Sequence, residues 1–349
     1  MMVRSVYTLS LFSLAVALAS CGGGSSSAPT PVPTPTPTPT PAPVPPPVGS
    51  ASVERDIDPA ITSSAINSNF SPHVVINPDP AVAAKGRLFV MLPGSGAVPR
   101  FYRLILRAGV PRGYHAIGLT YPNDTAVGIL CAGSSVADCS GLVRNEIITG
   151  ADTSPLVTVN TANSITGRLI SLLTYLNLTF PNEGWGQYLS NGQLNWSLIT
   201  VAGHSQGAGH AAYLAKLQNL DRAVMFSGPG DTGIAPGSAA PWLSLLNVTP
   251  ASRQYGFTHT GDTLVSFPLV TRNWGLIGMD AFGAPVSVDS IASPYANSRQ
   301  LTTSAPPNPA TPPTVESATH AAPVVDVATP VTAQGDPVYR PVWTYLAFP

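Results

Sequence analysis

Charged residues are scarce in this sequence, where Asp, Glu, Lys and Arg together make up only 9% of 349 residues. The 16 Lys and Arg almost balance the 17 Asp and Glu, which gives a formal net charge of −1 at pH 7. A protein that binds nucleic acid through the phosphates needs a basic excess to release their counterions. The composition therefore excludes an electrostatic nucleic-acid binder, and no nucleic-acid partner is expected.

Long apolar runs are rare as well, and the run from Val6 to Ala19 is too short to span a bilayer as a helix. It follows a single cation, Arg4. A basic start followed by a short apolar run is typical of a signal peptide. We therefore predict a signal peptide over residues 1–20 and an exported protein.

The run ends in Leu18-Ala19-Ser20-Cys21, which resembles the bacterial lipoprotein box. In proteins with that box the cysteine is lipid-modified and becomes the new N-terminus after cleavage. The resemblance implies lipid attachment at Cys21, with the membrane as a partner through this anchor. Gly22 stands where an Asp would argue for inner-membrane retention, so the resemblance favours the outer membrane or the cell surface. The alternative is an ordinary secretory signal with an incidental Cys21, and a secreted protein.

Cysteine is also scarce, with three residues in the chain. If Cys21 carries a lipid, Cys131 and Cys139 remain, and they are eight positions apart in an exported chain. Cysteines in exported proteins commonly pair, so we predict a disulfide between these two that closes a short loop. A catalytic Cys-His pair is a rival interpretation, but neither thiol lies at a recognisable strand-to-helix turn.

Residues 21–53 differ in composition from the rest of the chain. A Gly/Ser stretch from Gly22 to Ser27 precedes a Pro-Thr alternation from Pro29 to Pro47. Such an alternation favours extended polyproline II structure, at about 3.1 Å per residue. We therefore predict that residues 21–53 are the anchor and a linker, and that residues 54–349 form one globular domain.

From about Glu54 onward, short apolar runs alternate with stretches of helical apolar spacing. Six runs bounded by Gly, Pro or Asn predict strands: Arg87 to Pro93, His115 to Tyr121, Ser197 to Gly203, Arg222 to Gly228, Arg253 to Thr260 and Arg299 to Ala305. Three stretches predict helices: Pro99 to Ala108, Ser164 to Leu176 and Gln206 to Leu220. The alternation predicts an α/β fold, with a mainly parallel central sheet and helices on both faces. The segment from Cys131 to Pro155 is expected to be an insertion on the loop side.

The strand from Ser197 to Ala202 leads directly into Gly203-His204-Ser205-Gln206-Gly207, and a helix follows. This is a Gly-x-Ser-x-Gly nucleophile elbow in the context it requires, with a strand before it and a helix after it. So sharp a turn strains the serine backbone and leaves space only for very small neighbours, a condition that Gly203 and Gly207 meet. The N–H groups at the head of the helix also favour negative charge beside Ser205.

On this motif and its setting the chain resembles the α/β-hydrolase superfamily of esterases, lipases and related serine hydrolases, from about Arg87 to the C-terminus. The resemblance implies an α/β-hydrolase fold and a triad in the chain order Ser, acid, His. Asp262, in Thr260-Gly261-Asp262-Thr263-Leu264-Val265, fits the family's acid after the penultimate strand. Asp231 is the alternative acid, because some lipases place the acid after the preceding strand. The only histidine downstream of Asp262 is His320, which is therefore the predicted base.

The family's oxyanion hole uses the backbone N–H of the residue after the nucleophile, here Gln206, and one N–H from the loop after an earlier strand. That loop is Leu92-Pro93-Gly94-Ser95-Gly96-Ala97, and we favour Ser95 as its donor. Because the loop has Pro-Gly where many relatives have His-Gly, the choice of donor within it stays open. A nucleotide-binding interpretation of the loop fails, since Pro99 occupies the third glycine position.

The predicted reaction starts with attack of the Ser205 hydroxyl on an acyl carbonyl, while His320 takes the proton and Asp262 orients the imidazole. The resemblance and the predicted export favour a carboxylic ester hydrolase, an esterase or lipase acting on small-molecule, lipid or polyester substrates. A peptidase or amidase on the same triad and a non-catalytic surface binding lipoprotein are the alternatives. No spacing of His and carboxylate residues indicates a zinc site, so we predict no metal and no cofactor.

Overall fold

A computed structural model describes residues 53–78, 82–315 and 317–349 of the chain. The predicted signal peptide, the lipid-attachment residue Cys21 and all of the linker before residue 53 lie outside the described residues. In the part of the chain that is described, no helix combines the length and the apolar character needed to cross a bilayer.

Nine strands form the central sheet, in the order β1-β2-β4-β3-β7-β8-β9-β11-β10. The strands are β1 (Glu54–Ile57), β2 (His73–Ile76), β3 (Leu88–Leu92), β4 (His115–Gly118), β5 (Leu189–Ser190), β6 (Gln193–Leu194), β7 (Ile199–His204), β8 (Arg222–Phe226), β9 (Gln254–His259), β10 (Val286–Ser287) and β11 (Gln300–Thr303). Strand β2 is antiparallel to both of its neighbours, whereas every other adjacent pair in this sheet is parallel. Strands β5 and β6 form a separate small hairpin.

All six predicted strands are present, with slightly different ends, and five of them, β4, β3, β7, β8 and β9, form the centre of the sheet. Strands β1 and β2, the short strand β10 and the β5–β6 hairpin were not predicted. The parallel order with one antiparallel strand near the edge, covered by helices on both faces, is the α/β-hydrolase fold, as predicted.

The helices are α1 (Pro59–Thr62), α2 (Arg103–Gly109), α3 (Val127–Leu130), α4 (Cys139–Thr149), α5 (Ile165–Thr179), α6 (Gln206–Leu217), α7 (Phe267–Ile277), α8 (Ala318–Ala321) and α9 (Arg340–Ala347). The predicted helix from Pro99 to Ala108 is divided into a 3₁₀ turn, Pro99–Tyr102, and α2. Helix α5 starts where the hydroxyl of Ser164 accepts a hydrogen bond from the backbone N–H of Gly167, a standard N-cap.

Alternate residues of β3 enter two apolar cores on opposite faces of the sheet. Leu88, Val90 and Leu92 belong to the core that also contains residues of α4, α5 and α6. Phe89 and Met91 belong to the other core, together with residues of α2 and α9. Because successive side chains of a strand point to opposite faces, an unbroken apolar run is what a strand buried on both faces requires.

The segment from Cys131 to Pro155 is more than the loop-side insertion that the sequence led us to expect. It contains α4, which packs against α5 and α6, and Val143, Ile147 and Ile148 of α4 are part of the core. The predicted disulfide between Cys131 and Cys139 is present, with its Cα atoms 5.8 Å apart, and it joins the start of α4 to the preceding turn. The expectation of an insertion was wrong in this respect, because the apolar residues of α4 complete the helical layer.

Candidate active site

Ser205 lies at the sharp turn between β7 and α6. Its backbone angles are φ 54° and ψ −115°, a left-handed conformation that costs energy for any residue except glycine. A Cβ atom on Gly203 would collide with the carbonyl oxygen of Gly207, and a Cβ on Gly207 would collide with that of Leu92. The turn therefore has the geometry of a nucleophile elbow. Only glycine fits at these two positions of the motif, because a Cβ atom would collide with the backbone.

Asp262 and His320 meet at the same edge of the sheet. Asp262 follows β9, His320 belongs to α8, and Nδ1 of His320 lies 2.6 Å from Oδ2 of Asp262. The other carboxylate oxygen of Asp262 accepts hydrogen bonds from the backbone N–H groups of Leu264 at 2.9 Å and Val265 at 3.0 Å. Both side chains are buried. Both oxygens of this carboxylate are thus engaged, one of them by an imidazole.

The environment of Asp262 favours the ionised carboxylate. Burial by itself raises the pKa of this carboxyl group, but the hydrogen bond and charge of His320 and the two backbone N–H donors outweigh it and hold the pKa below its ordinary value. An ionised carboxylate accepts a hydrogen bond from the Nδ1–H group of the neutral imidazole, which leaves Nε2 with a free lone pair. Nε2 of His320 is buried and has no hydrogen-bond partner among the described residues.

The main chain of His320 is held from two sides. Its carbonyl oxygen accepts a hydrogen bond from Oγ of Ser227 at 2.7 Å and one from Nε2 of His204 at 3.1 Å. The rings of His204 and His320 are 4.8 Å apart between centroids. Because Ser205 directly follows His204, these contacts bring His320 close to the elbow, although Ser205 Oγ and His320 Nε2 are not hydrogen-bonded to each other.

The alternative acid, Asp231, has different partners. Its carboxylate accepts hydrogen bonds from Nε of Arg144 at 2.6 Å, from Nη2 of Arg144 at 2.5 Å and from Nε1 of Trp242 at 2.7 Å. The arginine also donates to the carbonyl oxygen of Gln206, in the first turn of α6, at 3.0 Å. Asp231 is therefore one half of a buried ion pair that ties α4 to the start of α6.

The backbone N–H groups of Ser95 and Gln206, predicted for the oxyanion hole, donate no hydrogen bond to any described residue. In the same loop, Gly94 donates its N–H to the hydroxyl of Tyr102 at 3.0 Å, and the N–H of Gly96 is donated to a carbonyl oxygen at 2.9 Å. The hydroxyl of Ser95 donates to Oε1 of Gln206 at 2.7 Å and so joins the two segments. Ser95 is thus distinguished from its glycine neighbours by a backbone donor that is free.

Sequence reasoning missed three side chains that contact this site. Tyr102, Ser227 and Arg144 lie outside the motifs, and their contacts join segments that are distant in the chain. His204 also contacts this site, and its Nε2 atom bonds to a residue 116 positions away. Its place in the motif next to Ser205 was the one signal in the sequence that could have marked it.

Within the described residues, no three His, Cys, Asp or Glu side chains are grouped so that they could hold a metal ion. The absence of a metal and of a cofactor stays a prediction from the sequence.

Comparisons with known proteins assign this chain to no family. No protein-family model and no curated protein matches the chain. Among solved structures, it is similar to the crystal structure of TT1662 from Thermus thermophilus, with 13% sequence identity and a TM-score of 0.36. The match covers 73% of this chain and 88% of that one. At this identity and TM-score the likeness implies no shared activity.

Proposed function

We propose that this protein is a serine hydrolase that cleaves carboxylic esters, with Ser205 as the nucleophile, His320 as the general base and Asp262 as the acid that orients it. The observation that carries the proposal is the buried hydrogen bond between Nδ1 of His320 and Asp262, which leaves Nε2 free near a serine held in a strained elbow. Asp231 is the weaker choice of acid because Arg144 already pairs with it.

In the proposed reaction the Oγ atom of Ser205 forms a bond to the acyl carbon, and its proton passes to Nε2 of His320. The carbonyl electron pair moves onto oxygen, where the backbone N–H groups of Ser95 and Gln206 stabilise the negative charge. When the pair returns, the bond to the alcohol oxygen breaks and that oxygen takes the proton from His320. Water then attacks the acyl-enzyme in the same way and releases the acid.

The positive end of α6 adds to the stabilisation of the oxyanion. The helix begins at Gln206, immediately after Ser205, and its first N–H groups have no carbonyl partner within the helix. Such a helix terminus favours a nearby negative charge by about 0.3–1 kcal/mol at an exposed site and by more where water is excluded. An acyl group attacked by Ser205 would therefore have its carbonyl oxygen close to a helix terminus that favours negative charge.

The cellular setting of the proposal rests on the sequence. The lipoprotein box at Cys21 and the Pro-Thr segment that follows it support an enzyme tethered to the bacterial cell envelope, at the outer membrane or cell surface. A Pro-Thr alternation of this kind is typical of a spacer between an anchor and a domain. Substrates met there are lipid, polymer or small-molecule esters.

The test compares two substrates that share an acyl group, p-nitrophenyl butyrate and butyryl p-nitroanilide. We expect the wild-type protein to hydrolyse the ester and to leave the anilide almost untouched. Ser205→Ala should abolish the ester activity, while Ser190→Ala, which changes an exposed serine of the β5–β6 hairpin, should keep it. Preferential cleavage of the anilide would point to the amidase alternative, and no cleavage of either by folded protein would favour the binding lipoprotein.

A further inference from the structure

Both ring nitrogens of His204 are engaged, and their partners determine its protonation. Nε2 lies 3.1 Å from the carbonyl oxygen of His320, and Nδ1 lies 3.0 Å from the hydroxyl of Tyr102. A carbonyl oxygen only accepts, so Nε2 carries a proton. Burial, and after it the neighbouring charge of His320, lowers the pKa of His204 to about 3, so the ring is neutral and Nδ1 accepts. The hydroxyl of Tyr102 must therefore donate to it.

The hydroxyl of Tyr102 has a second partner that completes a directed chain of hydrogen bonds. It accepts from the backbone N–H of Gly94 at 3.0 Å. The chain thus runs from Gly94 N–H to Tyr102 O–H, then to His204, and from His204 N–H to the carbonyl oxygen of His320. Tyr102 and His204 are both buried, so water does not compete for these bonds. We call this chain the Tyr102–His204 relay.

The two ends of the relay lie in two segments that the proposed reaction needs, the oxyanion loop and helix α8. Gly94 directly precedes Ser95, the proposed oxyanion donor, and His320 is the proposed base. Ser205 follows His204 in the chain and lies close to Gly94, where an added Cβ atom would be 3.3 Å from Cβ of Ser205 and 3.0 Å from Nδ1 of His204. The relay therefore connects the oxyanion loop and the backbone of the base around the nucleophile.

We propose that Tyr102 and His204 are positioning residues of the active site, which fix the Ser95 loop and the His320 backbone relative to Ser205 without touching substrate. This inference rests on the proposed hydrolase function. Small misplacements of reacting groups are costly, because the reaction needs near-attack geometry. Ser227 also holds the carbonyl oxygen of His320, so loss of the relay weakens the arrangement and does not abolish it.

The chain contains a matched control for the relay. His115 lies with Nδ1 2.7 Å from the hydroxyl of Tyr188 and with Nε2 2.8 Å from the carbonyl oxygen of Glu183. Both side chains are buried, as in the relay. His115 begins β4, however, at the amino end of the parallel strands, whereas Ser205 follows the carboxyl end of β7. The same kind of histidine–tyrosine contact is therefore found at the edge of the sheet opposite the proposed site.

The experiment compares Tyr102→Phe with Tyr188→Phe in the full-length protein, using p-nitrophenyl butyrate. We expect Tyr102→Phe to lower kcat about tenfold with KM changed less than about twofold, because positioning and not binding is lost. Tyr188→Phe should leave kcat within about twofold of wild type. It should lower the unfolding midpoint by about as much as Tyr102→Phe does. Equal kcat losses in the two variants, or none in Tyr102→Phe, would overturn the proposal.

A second pair of variants separates loss of the hydrogen bonds of His204 from the general effect of replacing this buried side chain. Glutamine has a donor NH₂ group and an acceptor oxygen on its amide and can replace both relay bonds, whereas leucine can replace neither. His204→Gln should therefore retain more of the wild-type kcat than His204→Leu. Identical kcat values in these two variants, both folded, would contradict the relay.

Amide hydrogen exchange at Gly94 tests the relay without catalysis. In wild type its N–H is donated to a buried hydroxyl, and Tyr102→Phe removes that acceptor, so the exchange rate should rise in this variant and stay unchanged in Tyr188→Phe. If the wild-type protein hydrolyses no ester, the proposed function fails. The exchange rate still tests the hydrogen bond from Gly94 N–H to the hydroxyl of Tyr102. Unchanged exchange at Gly94 in Tyr102→Phe would overturn the relay whatever the activity.

Discussion

Asp262 and His320 are 58 positions apart in the chain, yet Oδ2 of the aspartate lies 2.6 Å from Nδ1 of the histidine, with both side chains buried. The contact exists because β9 and β11 are parallel and end at the same edge of the sheet. Asp262 lies in the segment that follows β9, and His320 lies in the segment that follows β11. The contact sets the tautomer of the imidazole, because a carboxylate can only accept at Nδ1 and so leaves the lone pair on Nε2.

Replacing Asp262 by Asn should lower kcat on the order of 10⁴-fold, because an amide can donate to Nδ1 and so favour the wrong tautomer. Asp231→Asn is the matched control, since Asp231 is also buried but pairs with Arg144. We expect this control to lose stability and to keep kcat within about tenfold of wild type, because its carboxylate orients no reacting group. Steady-state kinetics on folded samples decide between them, and the opposite ranking would move the acid to Asp231.

Replacing either Arg144 or Asp231 should destabilise the folded protein, because each change breaks a buried ion pair. Arg144→Met leaves an unpaired carboxylate, and Asp231→Leu leaves an unpaired guanidinium, so each should cost about 3–5 kcal/mol in the free energy of unfolding. The double variant should cost clearly less than the sum of the two, because no buried charge remains. Urea unfolding of the wild type, the two single variants and the double variant gives these free energies. Additive losses would show that the two residues do not interact.

The Cys131–Cys139 disulfide should contribute to stability and little to the reaction. A closed loop of this size, with a separation of eight residues, stabilises the folded state by about 2–3 kcal/mol through restriction of the unfolded chain. Replacing both cysteines by serine should lower the unfolding midpoint and leave kcat within about twofold. The unreduced wild-type domain should have no reactive thiol at these positions, and titration of two free thiols would refute the pairing.

Stability should fall as the pH is lowered from about 6.5 toward 4, the window set by the buried histidines. Burial lowers the pKa of His73 and His204 to about 3 and that of His115 to about 4. The unfolded chain binds these protons below pH 6.5 and the folded protein does not, so each histidine removes up to about 1.4 kcal/mol per pH unit. Asp326 acts in the opposite direction, because burial raises the pKa of its carboxyl to about 7.

Burial also lowers the pKa of His210, and it raises the pKa of Asp138. Four histidines therefore outweigh two aspartates in that window, so the free energy of unfolding in urea should be smaller at pH 5 than at pH 7. His115→Gln removes one of the buried imidazoles and should show a shallower dependence on pH than the wild type. Equal or greater stability of the wild type at pH 5 would contradict this account.

The lipid anchor has its own test, independent of the fold. In a bacterial host that processes lipoproteins, the wild-type protein should be found in the membrane fraction, and Cys21→Ser should move it to the soluble fraction. Cys131→Ser, which leaves the lipoprotein box intact, should stay with the membrane. A wild-type protein that is soluble, or a Cys21→Ser variant that remains membrane-bound, would discard the anchor.

The fold and the elbow could be predicted from the sequence because their signals are local. Apolar runs such as Leu88 to Leu92 indicate strands by themselves, and the motif around Ser205 is continuous between a strand and a helix. Strand β1 at the edge of the sheet and strand β2 beside it escaped prediction because each has only four residues and so few repeats of any pattern. Helix α4 escaped because its disulfide and polar flanks are more typical of a loop.

The supporting contacts of the site could not be predicted, since they depend on which segments the fold brings together. Tyr102 and His204 are 102 positions apart, and Arg144 reaches Asp231 across 87 positions. Nothing in the local sequence of Tyr102 distinguishes it from an ordinary core tyrosine. Order in the chain was sufficient for His320 alone, because no other histidine follows Asp262.

The most direct test of the central claim is reaction of the purified protein with a fluorophosphonate probe, followed by mass spectrometry of the labelled peptide. The account predicts a covalent adduct on Ser205 in the wild type, none in Ser205→Ala, and strongly slowed labelling in His320→Ala. An adduct that persists in Ser205→Ala, or a folded wild-type protein that takes up no probe, would contradict it.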